Sequence, residues 1–240
     1  MKKWFSISAA LAATVAAVGF TVAPALAAPV IQPGVSITMG GSYCTLNWIY
    51  DGTGSLAGKV YGGTAAHCVD TVGQSVELAT GSLGDPVLTL GTVAYIDGNL
   101  DYAFIEIAPA NLSYVNPALK GHPAIPTGVS TTSTAKLGDV IQFSGNGVGF
   151  HVLPTTQEQR KGVLVSNDGT QHYVDGAVTP GDSGGPVADV THGNKALGIV
   201  NTVGVGVAGL PYVGEGGVSL QGMFTDAAAA GFTVQLRTVG

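Results

Sequence analysis

The chain has 240 residues, of which 37 are glycine and only 10% carry a formal charge, and its mean hydropathy is +0.36. The length allows one large all-β domain or two small ones. The apolar content argues against intrinsic disorder, which needs low hydrophobicity and high net charge. The net charge of −6, with nine lysine and arginine residues, argues against nucleic acid as a partner, because phosphate binding needs a basic face.

Residues 1–27 have the features of a secretory signal peptide. Two lysines form a positive n-region, an apolar stretch follows them, and Ala25-Leu26-Ala27 provides a small-residue cleavage site. A retained membrane anchor is the alternative, but no basic stop-transfer cluster follows, and no later segment holds 18 uninterrupted apolar residues. We therefore expect cleavage after Ala27, a secreted extracellular product of residues 28–240, and no membrane association after cleavage.

The two cysteines, Cys44 and Cys68, both lie in the part of the chain that would be exported. An oxidising compartment favours pairing them. The bond would close a loop and stabilise the fold by about 3 kcal/mol in the chain-entropy model. Paired catalytic thiols are the alternative, but the chain has no Cys-x-x-Cys motif, and two cysteines alone cannot form a structural zinc site. We predict a structural disulfide.

Short runs rich in Val, Ile, Thr and Tyr alternate with Gly, Pro, Asn and Asp turns from residue 29 onward. This spacing indicates a β-barrel or a β-sandwich. A helix is predicted at Met223–Ala230, where Gly231 could cap its C-terminus, and a shorter one around Asn116–Lys120. A link at Thr127–Lys136 would join two halves of one fold. The predicted strands are Thr45–Tyr50, Lys59–Tyr61, Thr92–Ile96, Tyr102–Ile107, Val140–Phe143, Gly162–Val165, Gln171–Val174 and Ala196–Val200.

The segment Pro180–Pro186, with the sequence PGDSGGP, is the strongest indication of chemistry. A nucleophilic serine needs an exposed hydroxyl and nearby backbone N–H groups aimed at a developing oxyanion. Glycine on both sides allows unusual backbone angles and a close approach of the substrate. A generic turn would explain one glycine pair beside a serine, but six consecutive residues of this kind indicate a nucleophile at Ser183.

Two further segments supply partners for such a serine. His67 precedes Cys68, whose predicted bond would fix the backbone under the imidazole, and a general base must be held in register with its nucleophile. Asp101 immediately precedes an apolar strand, as expected of a carboxylate that orients an imidazole and stabilises its protonated form. Asp97 is the nearest competitor, but the glycine and asparagine after it place it in a turn.

On these three motifs, the sequence resembles the chymotrypsin family of serine peptidases. Thr64–Cys68 is similar to that family's histidine motif, Asp101–Ala103 to its aspartate motif and Gly181–Pro186 to its serine motif. The chain order His, Asp, Ser is also that family's. The resemblance implies an all-β fold of two antiparallel six-stranded barrels with a short C-terminal helix. The barrels would cover about residues 28–126 and 137–240, with the active site between them.

The resemblance also implies an activity, that of a secreted serine endopeptidase that cleaves proteins or peptides through an acyl-enzyme. Ser183 would attack the peptide carbonyl, and His67 would take its proton and later protonate the leaving amine. Asp101 would set the tautomer of His67, and the backbone N–H groups of Gly181 and Ser183 would form the oxyanion hole. The cysteine pair resembles the family's disulfide beside the catalytic histidine.

Substrate-binding residues follow from the same resemblance. Asn201-Thr202-Val203 matches the strand that pairs with the substrate backbone. With no insertion before the serine motif, the floor of the primary specificity pocket is Ala177, which favours an apolar or small P1 side chain. With a two-residue insertion the floor is Asp175, which favours Lys or Arg. We expect Ala177.

One departure from the family concerns Asp182. Animal members begin with an Ile-Val-Gly-Gly type sequence whose new amine pairs with the aspartate before the serine, and residues 28–42 contain no such sequence. Asp182 therefore needs another partner if it is buried, because an unpaired buried carboxylate is destabilising. By resemblance to bacterial secreted members, the candidate is Arg160. Lys161 and solvent exposure of Asp182 are the alternatives.

Two other classes of function stay open at this point. A proteolytically silent member of the same fold could act as a binding protein or effector, and a secreted esterase could use the same triad, although its motif and chain order would differ. No metal or other cofactor is expected, because the five histidines lack metal-ligand spacing and the acidic residues form no EF-hand loop. We expect a monomer.

Overall fold

The computed structural model describes residues 28–80, 84–147, 159–205 and 213–240. The predicted signal peptide lies outside these ranges. Within them the chain forms two antiparallel sheets and one α-helix, α1, at Leu220–Ala229. None of the described helices is long and apolar enough to cross a membrane.

The first sheet has eight strands in the order β15-β3-β4-β7-β6-β5-β1-β2. Seven of these strands, β1 to β7, are consecutive in the chain, and β15 comes from the C-terminus. A 3-10 turn at Ala66–Cys68 follows β4. The strands are β1 Ser36–Met39, β2 Ser42–Thr45, β3 Ile49–Gly52, β4 Val60–Thr64, β5 Ser75–Ala79, β6 Pro86–Asp97, β7 Tyr102–Ile107 and β15 Val234–Leu236.

The second sheet has seven strands in the order β12-β11-β8-β9-β10-β14-β13. In this order β13 is the last strand, so one of its edges has no neighbouring strand among the described residues. The strands are β8 Val140–Ser144, β9 Gln159–Asn167, β10 Gln171–Asp175, β11 Pro186–Asp189, β12 Lys195–Ile199, β13 Thr202–Val205 and β14 Val213–Val218.

The two-barrel fold class is confirmed, but the sheets have eight and seven strands where six per barrel were expected. In the first sheet, the predicted strand Thr45–Tyr50 is interrupted between β2 and β3. There, Leu46 N donates to Val35 O and Asn47 N to Gly63 O, so this one strand position changes partner and joins the two ends of the sheet. The C-terminal strand β15 then pairs with β3 outside the barrel.

The second sheet is interrupted in the same way between β12 and β13. Val200 N donates to Gly185 O beside β11, whereas Asn201 N donates to Gly216 O on β14. One strand position therefore accounts for both strands, and six positions remain. The division into barrels at about 28–126 and 137–240 stays a prediction, and β15, which falls in the second range, pairs with the first sheet.

A third apolar cluster lies between the sheets and under α1, in addition to one cluster in each barrel. It includes Trp48, Phe104, Ile199 and Met223, all at most 1% exposed. Aromatic rings surround Phe104, with Tyr50 at 5.2 Å between centroids in an edge-to-face arrangement. The elements of both barrels and the helix therefore share one packed interior, which fixes their relative placement.

The predicted C-terminal helix is confirmed, and it begins three residues before the predicted start. Gly231 follows its end with φ +82, as expected of a residue that terminates a helix in the left-handed conformation. The helix predicted around Asn116–Lys120 is wrong. Asn116 Oδ1 accepts a hydrogen bond from Ala118 N at 3.0 Å, a local turn that competes with helical bonding. The nearest helical turn is a 3-10 segment at Pro109–Tyr114.

Candidate functional site

Ser183 lies in a tight turn between β10 and β11. Asp182 N donates to Thr179 O at 3.0 Å, and Gly185 N donates to Asp182 O at 2.8 Å. The carbonyl of Ser183 accepts a hydrogen bond from Thr45 N at 2.9 Å, which attaches the turn to the first barrel. The Ser183 side chain is partly exposed, and its hydroxyl makes no hydrogen bond to any residue that the structure describes.

Gly184 allows this attachment because it has no side chain. Its φ is +81, and a Cβ here would lie 2.6 Å from Thr45 O and 2.8 Å from Ala65 N, and against Thr64 Oγ1. Both the backbone conformation and the space therefore require glycine. The serine turn of the second barrel consequently rests on the end of β4, directly before the segment that carries His67.

The structure brings His67 and Asp101 together. His67 lies in the 3-10 turn after β4, and its Nδ1 is 2.8 Å from Asp101 Oδ2. The backbone N–H of His67 also donates to Asp101 Oδ1 at 2.8 Å, so the carboxylate holds both the ring and the chain beneath it. The hydrogen bond that the ring donates to Asp101 raises the pKa of His67 above its ordinary value. Partial burial lowers this pKa, and the negative charge of Asp101 raises it further.

Asp97, the competing carboxylate, has a structural task in the turn before Asp101. Its Oδ1 accepts hydrogen bonds from Asn99 N at 2.9 Å and Leu100 N at 2.7 Å. These bonds close the turn between β6 and β7 and so deliver Asp101 to its place beside His67. Asp97 itself is the last residue of β6, so the expectation that it lies in a turn is wrong by one residue, and the turn begins at the glycine after it.

The predicted disulfide between Cys44 and Cys68 is present. Cys44 belongs to β2, and Cys68 ends the turn that carries His67. Cys68 Sγ lies 4.0 Å from the carbonyl oxygen of Ser183. The disulfide therefore lies between the histidine segment and the serine turn, and it braces the backbone of both.

The backbone amides around Ser183 differ in whether they donate a hydrogen bond. Gly181 has φ +102, and its carbonyl accepts a hydrogen bond from Thr45 Oγ1 at 2.8 Å. Within the described parts of the chain, the amides of Gly181 and Ser183 donate no hydrogen bond, although the amides of Asp182, Gly184 and Gly185 all do. Two donors thus remain available beside the serine.

Asp182 is buried, at 1% exposure, and it is paired with Arg160. Arg160 Nη2 lies 2.7 Å from Asp182 Oδ1, and the guanidinium stacks over Phe143 at 5.4 Å from the ring centroid. Backbone amides of Gly147 and Thr179 donate to the same carboxylate, each at 2.8 Å. The predicted Arg160 partner is confirmed, and the alternatives of Lys161 and an exposed Asp182 are wrong. This pair fixes the residue directly before Ser183.

The residues expected to bind substrate lie on the second barrel. Thr202 and Val203 belong to β13, whose outer edge pairs with no described strand, and Asn201 precedes that strand. Asn201 is 8% exposed, and its side chain reaches Asp101, a contact that no sequence motif indicated. Asp175 ends β10 and Ala177 follows two residues later, and both side chains are exposed. The P1 preference therefore stays a prediction.

One cluster outside this site has the composition of a metal site. Asp139, Asp189 and His192 place ligand atoms within 4.8 Å of one another, and Asp139 is fifty or more positions from the other two, so no sequence spacing indicated the cluster. Ser130 Oγ donates to Asp189 Oδ2 at 2.8 Å and His192 N to Asp189 Oδ1 at 3.0 Å. Because these hydrogen bonds already satisfy the buried Asp189, the cluster has a structural explanation without a cation.

Comparison with known proteins supports the architecture. No protein-family model matches the chain, and no curated protein matches its sequence. Among solved structures, the Nocardiopsis protease NAPase aligns with a TM-score of 0.61 and 22% identity, over 87% of this chain and 99% of that one. Thermobifida fusca protease A aligns with a TM-score of 0.58 and 21% identity, again over 87% and 99% of the two chains. The fold is that of the bacterial chymotrypsin-like serine proteases.

A glutamic acid-specific serine protease shares this chymotrypsin-like fold as well. It aligns with a TM-score of 0.57 and 20% identity, over 86% of this chain and all of that one. The alignment covers nearly the full length in each case. At these identities the similarity establishes the fold, and the chemistry has to be argued from the residues of this chain.

We expect Arg160→Ala to lower the free energy of unfolding by about 3–5 kcal/mol, because it leaves the buried Asp182 carboxylate without its cation. Urea denaturation measures the loss. The matched control is Arg237→Ala, which breaks an ion pair with Asp51 whose side chains are each 32% exposed, and which should cost about 1 kcal/mol or less. Equal losses in the two variants would show that the Asp182 pair does not fix the serine turn.

Proposed function

We propose that the protein is a secreted serine endopeptidase that cleaves proteins or peptides through an acyl-enzyme on Ser183. The observation that carries this proposal is that the backbone amides of Gly181 and Ser183 donate to no described residue, in a turn that rests on the segment before His67. A surface turn gains nothing from two backbone N–H donors without acceptors beside a serine. An acyl-transfer site needs such donors, because they bind the oxyanion that forms when the serine attacks.

In this mechanism His67 is the general base. Asp101 accepts a hydrogen bond from the Nδ1–H of the ring, which leaves Nε2 to take the proton of the Ser183 hydroxyl as it attacks the substrate carbonyl. Asp101 also stabilises the imidazolium that forms, in keeping with the raised pKa of His67. The hydrogen bond from the Ser183 hydroxyl to Nε2 of His67 is part of this proposal. Hydrogen bonds of this kind often tighten only when substrate is bound.

The amides of Gly181 and Ser183 would receive the oxyanion. Each donor of this kind contributes about 2.7–4 kcal/mol to the stability of the transition state. Thr45 Oγ1 holds the carbonyl of Gly181, and Arg160 holds the side chain of Asp182 between the two donors. The donors are thus placed before the reaction, so that little reorganisation is needed when charge develops.

The free edge of β13 would bind the substrate backbone. The carbonyl of Asn201 accepts no hydrogen bond from the described residues, and β13 has a neighbour on one side only. An extended peptide could add a strand there, so that main-chain hydrogen bonds position the scissile bond. The disulfide and the signal-peptide features of residues 1–27 support secretion.

The decisive experiment is labelling with a fluorophosphonate, which reacts with an activated serine. We expect one label per folded chain, located on Ser183 by mass spectrometry, and none in Ser183→Ala. The control is Ser75→Ala, which changes an exposed serine at the start of β5 and should label like the wild type. A folded wild-type protein that does not label would contradict the proposal and favour a proteolytically silent binding protein.

We expect the enzyme to prefer an apolar or small P1 side chain, because the position assigned to the pocket floor is Ala177. A panel of reporter peptides with Phe, Ala or Arg at P1 measures this preference as kcat/KM. Preference for Arg would instead point to Asp175, and Asp175→Asn should then remove it. Arg preference that survives Asp175→Asn would eliminate both assignments of the pocket floor.

A further inference from the structure

Asp101 has a backbone conformation that its own side chain does not favour. Its φ is +59, in the left-handed region, and among the described residues other than glycine only Asn194 shares a positive φ. Aspartate and asparagine enter this region more readily than other residues with a Cβ, but the conformation is uncommon even for them and depends on contacts that hold it. The carboxylate that contacts His67 thus depends on whatever holds the backbone of Asp101.

Asn201 provides that restraint from the other barrel. Its Nδ2 donates to Asp101 O at 2.6 Å and to Leu100 O at 3.0 Å. The reversed amide would place Oδ1 against two carbonyl oxygens, so the orientation is determined. Oδ1 itself is buried and accepts no hydrogen bond from the part of the chain that the structure describes, which is unfavourable. The two hydrogen bonds that Nδ2 donates therefore account for an asparagine at this position.

The two ends of Asp101 are held from opposite directions. Asn201 holds its carbonyl, and His67 binds its carboxylate through both the backbone N–H and Nδ1. If the carbonyl were released, rotation about the backbone of Asp101 toward an ordinary conformation would carry the carboxylate away from the imidazole. The contact that raises the pKa of His67 would weaken with it.

We propose that Asn201 is a positioning residue for the His67–Asp101 pair, acting through the backbone of Asp101. This inference rests on the proposed function, and it adds a second task to a residue so far assigned only to substrate binding. Asn201 directly precedes β13, the strand proposed to pair with the substrate, and its side chain holds the aspartate. The docking of substrate and the orientation of the base then share one residue.

The test removes the donors without changing the shape of the side chain. Asn201→Leu is nearly isosteric and uncharged. We expect kcat on a reporter peptide to fall by about 10–100-fold with little change in KM, a loss smaller than the roughly 10⁴-fold expected for Asp101→Asn. The acid limb of the pH profile of kcat should move to lower pH, because a weakened Asp101 contact lowers the pKa of His67.

A matched control exists in the first barrel. Asn111 is also buried, and its Nδ2 donates to two consecutive carbonyls, Thr89 O at 2.7 Å and Leu90 O at 3.3 Å. Asn111→Leu should reduce stability in a similar way but leave kcat and the pH profile unchanged. Equal effects of the two substitutions on kcat would show that Asn201 acts only through general stability, and would overturn the proposal.

A second measurement is independent of activity. The titration of His67 can be followed by NMR of its ring protons in the folded protein. Its pKa should lie above the ordinary histidine value of about 6.5 in the wild type, and it should fall toward that ordinary value in Asn201→Leu. An unchanged titration would overturn the positioning role. If the wild type is not labelled by a fluorophosphonate, the proposed function fails, but this titration still decides what Asn201 does.

If Asn201→Leu does not fold, the backbone argument supplies the next variant. Glycine adopts the left-handed conformation freely, so Asp101→Gly should restore folding to Asn201→Leu. Failure of Asp101→Gly to restore folding would overturn the proposal, because the task of Asn201 would then lie outside the conformation of residue 101.

Discussion

Thr45 joins the two halves of the site. Its N–H donates to the carbonyl of Ser183, its Oγ1 donates to the carbonyl of Gly181, and its own carbonyl accepts the hydroxyl of Thr64. It lies at the end of β2, where that strand position changes partner and joins the two ends of the first sheet. The Ser183 turn of one barrel is thus attached to Thr45 of the first barrel by one backbone and one hydroxyl hydrogen bond, and the Thr64 hydroxyl bonds Thr45 to the end of β4, beside the histidine segment. These bonds depend on the close approach at Gly184.

Three further contacts hold the site in register where the barrels meet. The Arg160–Asp182 pair holds the serine turn from inside the second barrel, and Asn201 holds the backbone of Asp101 from the β12–β13 interruption. The disulfide braces the His67 turn from the side of the first barrel. These restraints act on Asp182, Asp101 and Cys68, so they leave the Ser183 hydroxyl and the His67 Nε2 without a part in holding the site together.

The sequence predicted the elements that carry a local pattern. The serine, histidine and aspartate motifs and the C-terminal helix follow from neighbouring residues, and the disulfide follows because the chain has only two cysteines to pair. Arg160 was found only through resemblance, because its partner is more than twenty residues away and no spacing links them. The Asn201–Asp101 contact could not be predicted, since it joins residues a hundred positions apart and depends on how the barrels pack. The helix expected near Asn116 failed because a side-chain hydrogen bond competed with the backbone pattern.

The site depends on the contact that the serine turn makes with the first barrel at Gly184. The direct test is the second-order rate constant for fluorophosphonate labelling of Ser183 in Gly184→Ala and Gly193→Ala. Both glycines have positive φ, but a Cβ at Gly193 meets no atom within 4 Å. We predict a fall of about 100-fold or more in folded Gly184→Ala, and little change in Gly193→Ala. Labelling of Gly184→Ala at the wild-type rate would contradict this account.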